Sequence, residues 1–190
     1  MNHEYITIVS GLPRSGTSLM MQMLQAGGLP VLSDGLRAAD ENNPRGYLEF
    51  EPVKRLRADR SWLPQARGKA VKIIHLLLRE LPLDGSLAFR IIFMQRPIEE
   101  VIASQSAMLL RDGKAAADPA VLKKVFESQL AQLEHWLAGR LDVAVLPVAY
   151  HRVLQEPAAV AEELRAFLDL ELDAEAMVRA VDPSLYRQRG

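Results

Sequence analysis

Gly11-Leu12-Pro13-Arg14-Ser15-Gly16-Thr17-Ser18 lies between the apolar run Tyr5-Ile6-Thr7-Ile8-Val9 and the helix-like run Leu19-Met20-Met21-Gln22-Met23-Leu24. A buried strand, a glycine-bracketed loop and a helix start, in that order, aim unpaired backbone N–H groups and the positive end of a helix dipole at one point. The stretch predicts an anion cradle. Its two glycines have the GxxxxG spacing of a nucleotide-binding loop, but Thr17 stands where GxxxxGK[ST] has lysine, and the loop's cation is Arg14, two residues before the second glycine. That lysine reaches the β- and γ-phosphates of a triphosphate beside Mg²⁺. An arginine inside the loop points instead at the first phosphate and at whatever is bonded to it.

Outward from the loop, Ala26-Gly27-Gly28 stops the first helix, and Leu29-Pro30-Val31-Leu32 reads as a short strand or an extended segment. Residues 33–50 have loop composition, and loops this long inside a compact domain are often functional. From Glu51 a polar helix is expected, with Pro52 in its first turn and a basic cluster on a solvated face. Lys69–Ile74 and Ala88–Met94 read as strands, the second ending at Gln95-Arg96-Pro97. Pro97 opens a helix with Glu99 and Glu100 in the dipole-opposing first turn and Ile98, Val101, Ile102 and Leu109 at helical spacing. Asp118-Pro119 begins a long amphipathic helix striped by Leu122, Val125, Phe126, Leu130, Leu133 and Leu137, closing at Gly139. Asp142–Leu146 is a further strand, followed by helical segments over Ala158–Leu168 and Ala174–Ala180.

Strands alternating with helices at these lengths predict an α/β fold: a P-loop-type three-layer sandwich with a mostly parallel central sheet of about five strands, in one domain over residues 1–190. Ligands of such sheets bind at the carboxyl ends of the strands. The first loop, His75 and Arg96 all fall at such ends and are expected to face one crevice.

Composition narrows the function classes. Hydrophobic residues at 49% and charged residues at 25% are ordinary for a folded soluble protein. A formal net charge of -1 argues against bulk nucleic-acid or anionic-membrane binding, while 17 arginines among the 23 basic residues suit planar oxyanions. The absence of cysteine removes disulfides, thiol catalysis and thiolate metal sites. The four histidines are scattered, so no metal site is expected; of these, His3, His135 and His151 receive no role. With no signal-like start and no long apolar run, the chain reads as cytoplasmic and not inserted in a membrane.

Gly-x-Pro-Arg-Ser-Gly-Thr-Ser resembles the phosphosulfate-binding loop of sulfotransferases that use PAPS, 3′-phosphoadenosine 5′-phosphosulfate, in the form seen in tyrosylprotein sulfotransferases and bacterial sulfotransferase-like proteins. The segment Asn43-Pro44-Arg45-Gly46-Tyr47-Leu48-Glu49 resembles one in the bacterial proteins. Arg96 and Ser104, the serine eight positions after the arginine, resemble the ends of the family's Arg-x-Pro-x₅-Ser element for the 3′-phosphate of PAPS, although Pro97 follows the arginine directly instead of after one residue. An arginine at a strand end forks onto a phosphate, and a serine two turns along the next helix shares that face. The likeness runs from about Tyr5 to about Ser104 and continues beyond only as a pattern of elements.

The resemblance implies sulfuryl transfer from PAPS to a hydroxyl or amine acceptor, with Arg14, Ser15, Gly16, Thr17 and Ser18 on the 5′-phosphosulfate and Arg96 and Ser104 on the 3′-phosphate. A kinase-like carboxylate for Mg²⁺ is missing where the strand ends Met94-Gln95-Arg96, and a singly charged sulfuryl group is served by arginine and backbone donors without a metal. His75 resembles the acceptor-deprotonating histidine of Lys-Thr-His-Leu-Pro in cytosolic sulfotransferases, although Lys72 precedes it by three residues instead of two. A histidine before three leucines is equally a packed core residue. Glu49, then Glu41, are the rival bases, and Glu49 also reads as a cap for the helix after it. Arg187 and Arg189 read either as a cover for the 3′-phosphate or as a solvated tail. The acceptor, a small molecule, sugar, lipid or peptide, is not specified by the sequence. Two other readings stand: a metal-dependent P-loop kinase or NTPase, and a non-catalytic nucleotide-binding scaffold.

Overall fold

The computed structural model describes residues 5–37, 40, 46–138, 140 and 143–182. Four parallel strands, β1 (Tyr5–Gly11), β2 (Ala70–Lys72), β3 (Ala88–Gln95) and β4 (Val143–Ala149), form one sheet in the order β2-β1-β3-β4. In register, Ile8 pairs with Val71 on one side and Ile91 on the other, and Ile91 pairs with Val145. Because the chain leaves β1 toward β2 and then crosses back to β3 on the opposite side, the carboxyl end of β1 is a switch point where successive connections part. The crevice there holds the Gly11–Ser18 segment.

Period-two alternation assigns the two faces. Ile6, Ile8, Phe89, Ile91 and Val143 point to one core, where they meet Val53, Leu56, Trp62, Leu63, Ile73, Leu78 and Leu133. Val9, Ile92, Met94 and Val148 point to the other, which is closed by α1 (Thr17–Ala26), α5 (Pro157–Leu168) and α6 (Ala174–Ala180) through Met20, Leu24, Leu164, Leu168 and Met177. Between β3 and β4 run α2 (Ile98–Arg111) and α3 (Pro119–Leu137), joined over Leu12 by Val101, Ile102 and Phe126. Short α4 (Tyr150–Gln155) continues β4. The expected three-layer parallel α/β sandwich is the observed one.

Several local expectations need correction. Among the described residues the sheet has four strands, not about five: Val31 makes a single parallel bridge to Ala70, because Pro30 cannot donate to a ladder and Gly28 turns the chain just before it. The polar helix at Glu51 is a five-residue 3-10 helix, Glu51–Arg55, one of three such turns on that side of the sheet. The α3 stripe is narrower than read, with Val125 exposed. The last strand runs three residues past Leu146, which places α4 where a connection was expected. Gly139, Asp142 and the 183–190 tail lie outside the described residues.

Candidate functional site

Gly16 caps α1 at φ 99, no side chain among the described residues caps the helix start, and its first turn carries no acid, so Thr17, Ser18 and Leu19 present the N–H groups that every helix leaves without internal partners. Ser15 donates its own N–H to the Leu12 carbonyl at 3.2 Å, closing the turn. Its hydroxyl is fully buried and has no partner among the described residues, an arrangement that costs free energy unless a ligand supplies one.

Arg14 sits at φ 68, in the left-handed region that non-glycine residues rarely occupy. Two contacts hold it there. Its Nε donates to Ser104 Oγ at 3.1 Å, and its carbonyl accepts from Arg96 Nη1 at 3.0 Å. The two elements singled out in the sequence are therefore hydrogen-bonded to one another across the crevice. Burial, above all, lowers the Arg14 pKa; Arg111 and Arg96 add to the shift, while Tyr47 and Asp40 oppose it. An arginine keeps its charge even so.

Arg96, at the end of β3, has almost no exposed side chain. Its Nε donates to Glu100 Oε2 at 2.9 Å, Glu100 Oε1 lies 2.8 Å from His151 Nε2, and the guanidinium stacks 4.7 Å over the Tyr150 ring. The other face of the crevice belongs to Lys72 at the end of β2. Its Nζ donates to Ser18 Oγ at 3.2 Å, to the Tyr47 carbonyl at 3.2 Å and to Glu49 Oε1 at 3.1 Å. Glu49 also accepts from Arg37 at 3.0 Å, Arg37 covers the Tyr47 ring at 3.4 Å, and the Tyr47 hydroxyl reaches both Asp40 oxygens at 2.8 Å.

Of the two described candidate bases, His75 is packed away. It is 3% exposed, with Nε2 2.9 Å from Gln129 Oε1 of α3. Burial pushes its pKa down, with Gln129 and the Gly11 backbone opposing the shift, and the ring abuts the start of the loop. Glu49 keeps about a quarter of its side chain in solvent, at 28%. Burial raises its pKa, and the charges and hydrogen bonds of Lys72 and Arg37 together more than offset that, holding it below the ordinary glutamate range. Glu41, Arg187 and Arg189 lie outside the described residues.

The sign of that shift makes a testable statement. A carboxyl whose folded pKa is depressed contributes stability that is fully present above its unfolded pKa and is lost as pH falls through the folded one. Melting temperatures of the native chain should therefore drop as pH is lowered from about 5 to about 3, and Glu49→Gln should flatten part of that drop. Parallel pH profiles for the two chains would show that the Lys72–Glu49–Arg37 cluster carries no such stability.

Lys72, Tyr47, Asp40, Glu100 and Tyr150 were not assigned to the site from sequence. Lys72 ends a strand, and Arg96 and Glu100 have the four-residue spacing of a helical ion pair, so both signals were present in the sequence. Tyr150 had none, because its position depends on β4 reaching Ala149.

No family model and no curated protein sequence matches the chain. Solved structures do match in fold. The sulfotransferase domain of the curacin biosynthetic pathway aligns over 96% of this chain and 79% of its own, with 14% identity and a TM-score of 0.56. That of the Synechococcus olefin synthase aligns over 97% and 86%, at 15% identity and TM-score 0.59. A sulfotransferase from Mycobacterium avium aligns over 95% and 67%, at 15% identity and TM-score 0.56. The fold is that of these bacterial sulfotransferases. Among the described residues no helix is long and apolar enough to cross a membrane.

Proposed function

We propose that this chain moves a sulfuryl group from PAPS to a hydroxyl or amine acceptor. The observation that carries the reading is the pair of hydrogen bonds joining Arg14 to Ser104 and Arg96 to the Arg14 carbonyl, which makes one anion site of a lysine-free loop and a second element far along the chain. The fold shared with solved sulfotransferases supports it.

In this reading the N–H groups at the start of α1 and the Ser15 hydroxyl hold the 5′-phosphosulfate, with the Thr17 and Ser18 hydroxyls as further donors. Ser104 and Arg96 lie on the side of the 3′-phosphate. As the acceptor atom bonds to sulfur, the bond from sulfur to the bridging oxygen breaks and its electron pair stays on the departing phosphate. Arg14 stabilises that growing charge, helped by Lys72 beside Ser18. Glu49, ionised and partly open to solvent, takes the acceptor proton; His75, buried against Gln129, supports the loop. The single negative charge of the sulfuryl group is met by these cations and backbone donors without a metal.

Titration calorimetry with PAP, ATP and ATP plus Mg²⁺ tests the donor. PAP is expected to bind tighter than ATP, with no Mg²⁺ requirement. Preference for ATP that depends on Mg²⁺ would replace this reading with a kinase or NTPase, and PAP binding without PAPS turnover on any phenol, sugar or amine acceptor would replace it with a non-catalytic scaffold.

A further inference from the structure

Glu99 and Glu100 are adjacent acids in the first turn of α2, yet their surroundings differ. Glu99 is exposed and pairs with Lys123 at 2.7 Å, which is all that a dipole-opposing surface acid needs. Glu100 is 8% exposed. Taking a carboxylate out of water is costly unless it is closely paired, and Glu100 is: Arg96 Nε lies 2.9 Å from one oxygen and His151 Nε2 2.8 Å from the other. The paired Arg96 is fixed on its flat side too, stacked over Tyr150, whose ring edge fills the space a Cβ on Gly16 would need. The remaining end of the fork reaches the Arg14 carbonyl at 3.0 Å. That peptide belongs to a residue at φ 68, a backbone state that persists only when its surroundings impose it.

We infer that Glu100 is a positioning residue for the anion loop: it holds the Arg96 guanidinium on the Arg14 carbonyl and so fixes the backbone from which the Arg14 side chain reaches Ser104. Arg96 thereby couples the two halves of the cradle, and the acid that sets its direction never touches the guest. The inference deepens the sulfotransferase reading in its consequence for donor binding, while its geometric content concerns the free chain.

The test is amide hydrogen exchange on the full, ligand-free chain carrying Glu100→Gln. The Ser15 amide, bonded to the Leu12 carbonyl inside the loop, is expected to exchange about tenfold faster or more, while core amides such as those of Ile8 and Ile91 change only by the global stability difference. A Ser15 amide that moves no further than the core overturns the inference, because a merely structural acid loosens everything together. A PAP titration of the same variant is expected to show about tenfold weaker binding, and tighter binding identifies Glu100 as a competing anion and also overturns it. If the native chain binds no PAP, the donor reading fails, and the exchange data still decide the role of Glu100. Should Glu100→Gln not fold, Arg96→Lys, which keeps a cation beside Glu100 and loses the fork, is read in the same way.

Discussion

Arg14→Ala should lower sulfuryl transfer from PAPS by about 100-fold or more while weakening PAP binding far less. The magnitude follows from removing a preorganised donor aimed at charge that develops only as the bond to sulfur breaks. In the proposed reading, ground-state binding draws on the helix N-terminus and Ser15 for the 5′ end and on Ser104 and Arg96 for the 3′-phosphate, all of which the substitution leaves in place. The side chain is already oriented in the free chain by Ser104, so its reorganisation costs little at the moment of reaction. Arg14→Lys is the informative companion. It keeps a positive charge but loses the planar fork of which one nitrogen holds Ser104, and it is expected to recover only part of the turnover. Release of PAP from PAPS, followed with phenol or sugar acceptors under saturating donor, measures both. Turnover unchanged in Arg14→Ala would strip the residue of this role, and equal losses in turnover and PAP affinity would make it a binding residue only.

The parts of this site that were legible in the sequence are those whose chemistry is local. The strand, glycine-bracketed loop and helix of residues 5–26 follow from hydrophobic period and glycine placement alone, and Pro97 marks the start of α2 as surely as Gly27 marks the end of α1. What escaped were consequences of distance. Lys72 reads as an ordinary strand residue until β2 is paired with β1, when its Nζ arrives at Ser18, 54 positions earlier. His75 looks equally suited to catalysis or packing until α3 brings Gln129 over it. Glu49 reads from sequence as a base or a cap, and the structure ties it to Lys72 and Arg37, a pairing that no spacing rule announces. The 3-10 turns on one face were missed for a related reason: Glu51–Arg55, Leu63–Ala66 and His75–Glu80 are too short to show helical periodicity, and they are held by apolar residues such as Val53, Leu63 and Leu78 that dock on the sheet.

A single methyl group at Gly11 should damage donor binding as severely as any charge removal. Gly11 ends β1 at φ 150, and a Cβ built there would lie 2.4 Å from Ser15 Oγ and 2.7 Å from the Met94 carbonyl oxygen. The serine can turn. The carbonyl belongs to the neighbouring strand β3, in register with Gly11 itself, and cannot retreat without breaking the ladder. Strain at an unfavourable backbone angle costs about 1–3 kcal/mol and overpacking a close contact about the same, so Gly11→Ala carries roughly 2–6 kcal/mol to be relieved somewhere. The Met94 carbonyl is held by the strand ladder, so the strain is expected to be relieved in the adjoining loop. Its displacement moves Ser15 and the start of α1 out of line, and PAP affinity is expected to fall by about 30-fold or more, with a melting temperature lowered by less than the full strain implies. Gly28→Ala separates geometry from backbone strain: Gly28 also has positive φ, at 94, but nothing lies within 4 Å of an added Cβ. That variant should lose some stability and keep its PAP affinity. Equal PAP affinities for Gly11→Ala and the native chain would mean that the end of β1 does not shape the cradle, and the anion would have to be held by another part of the crevice.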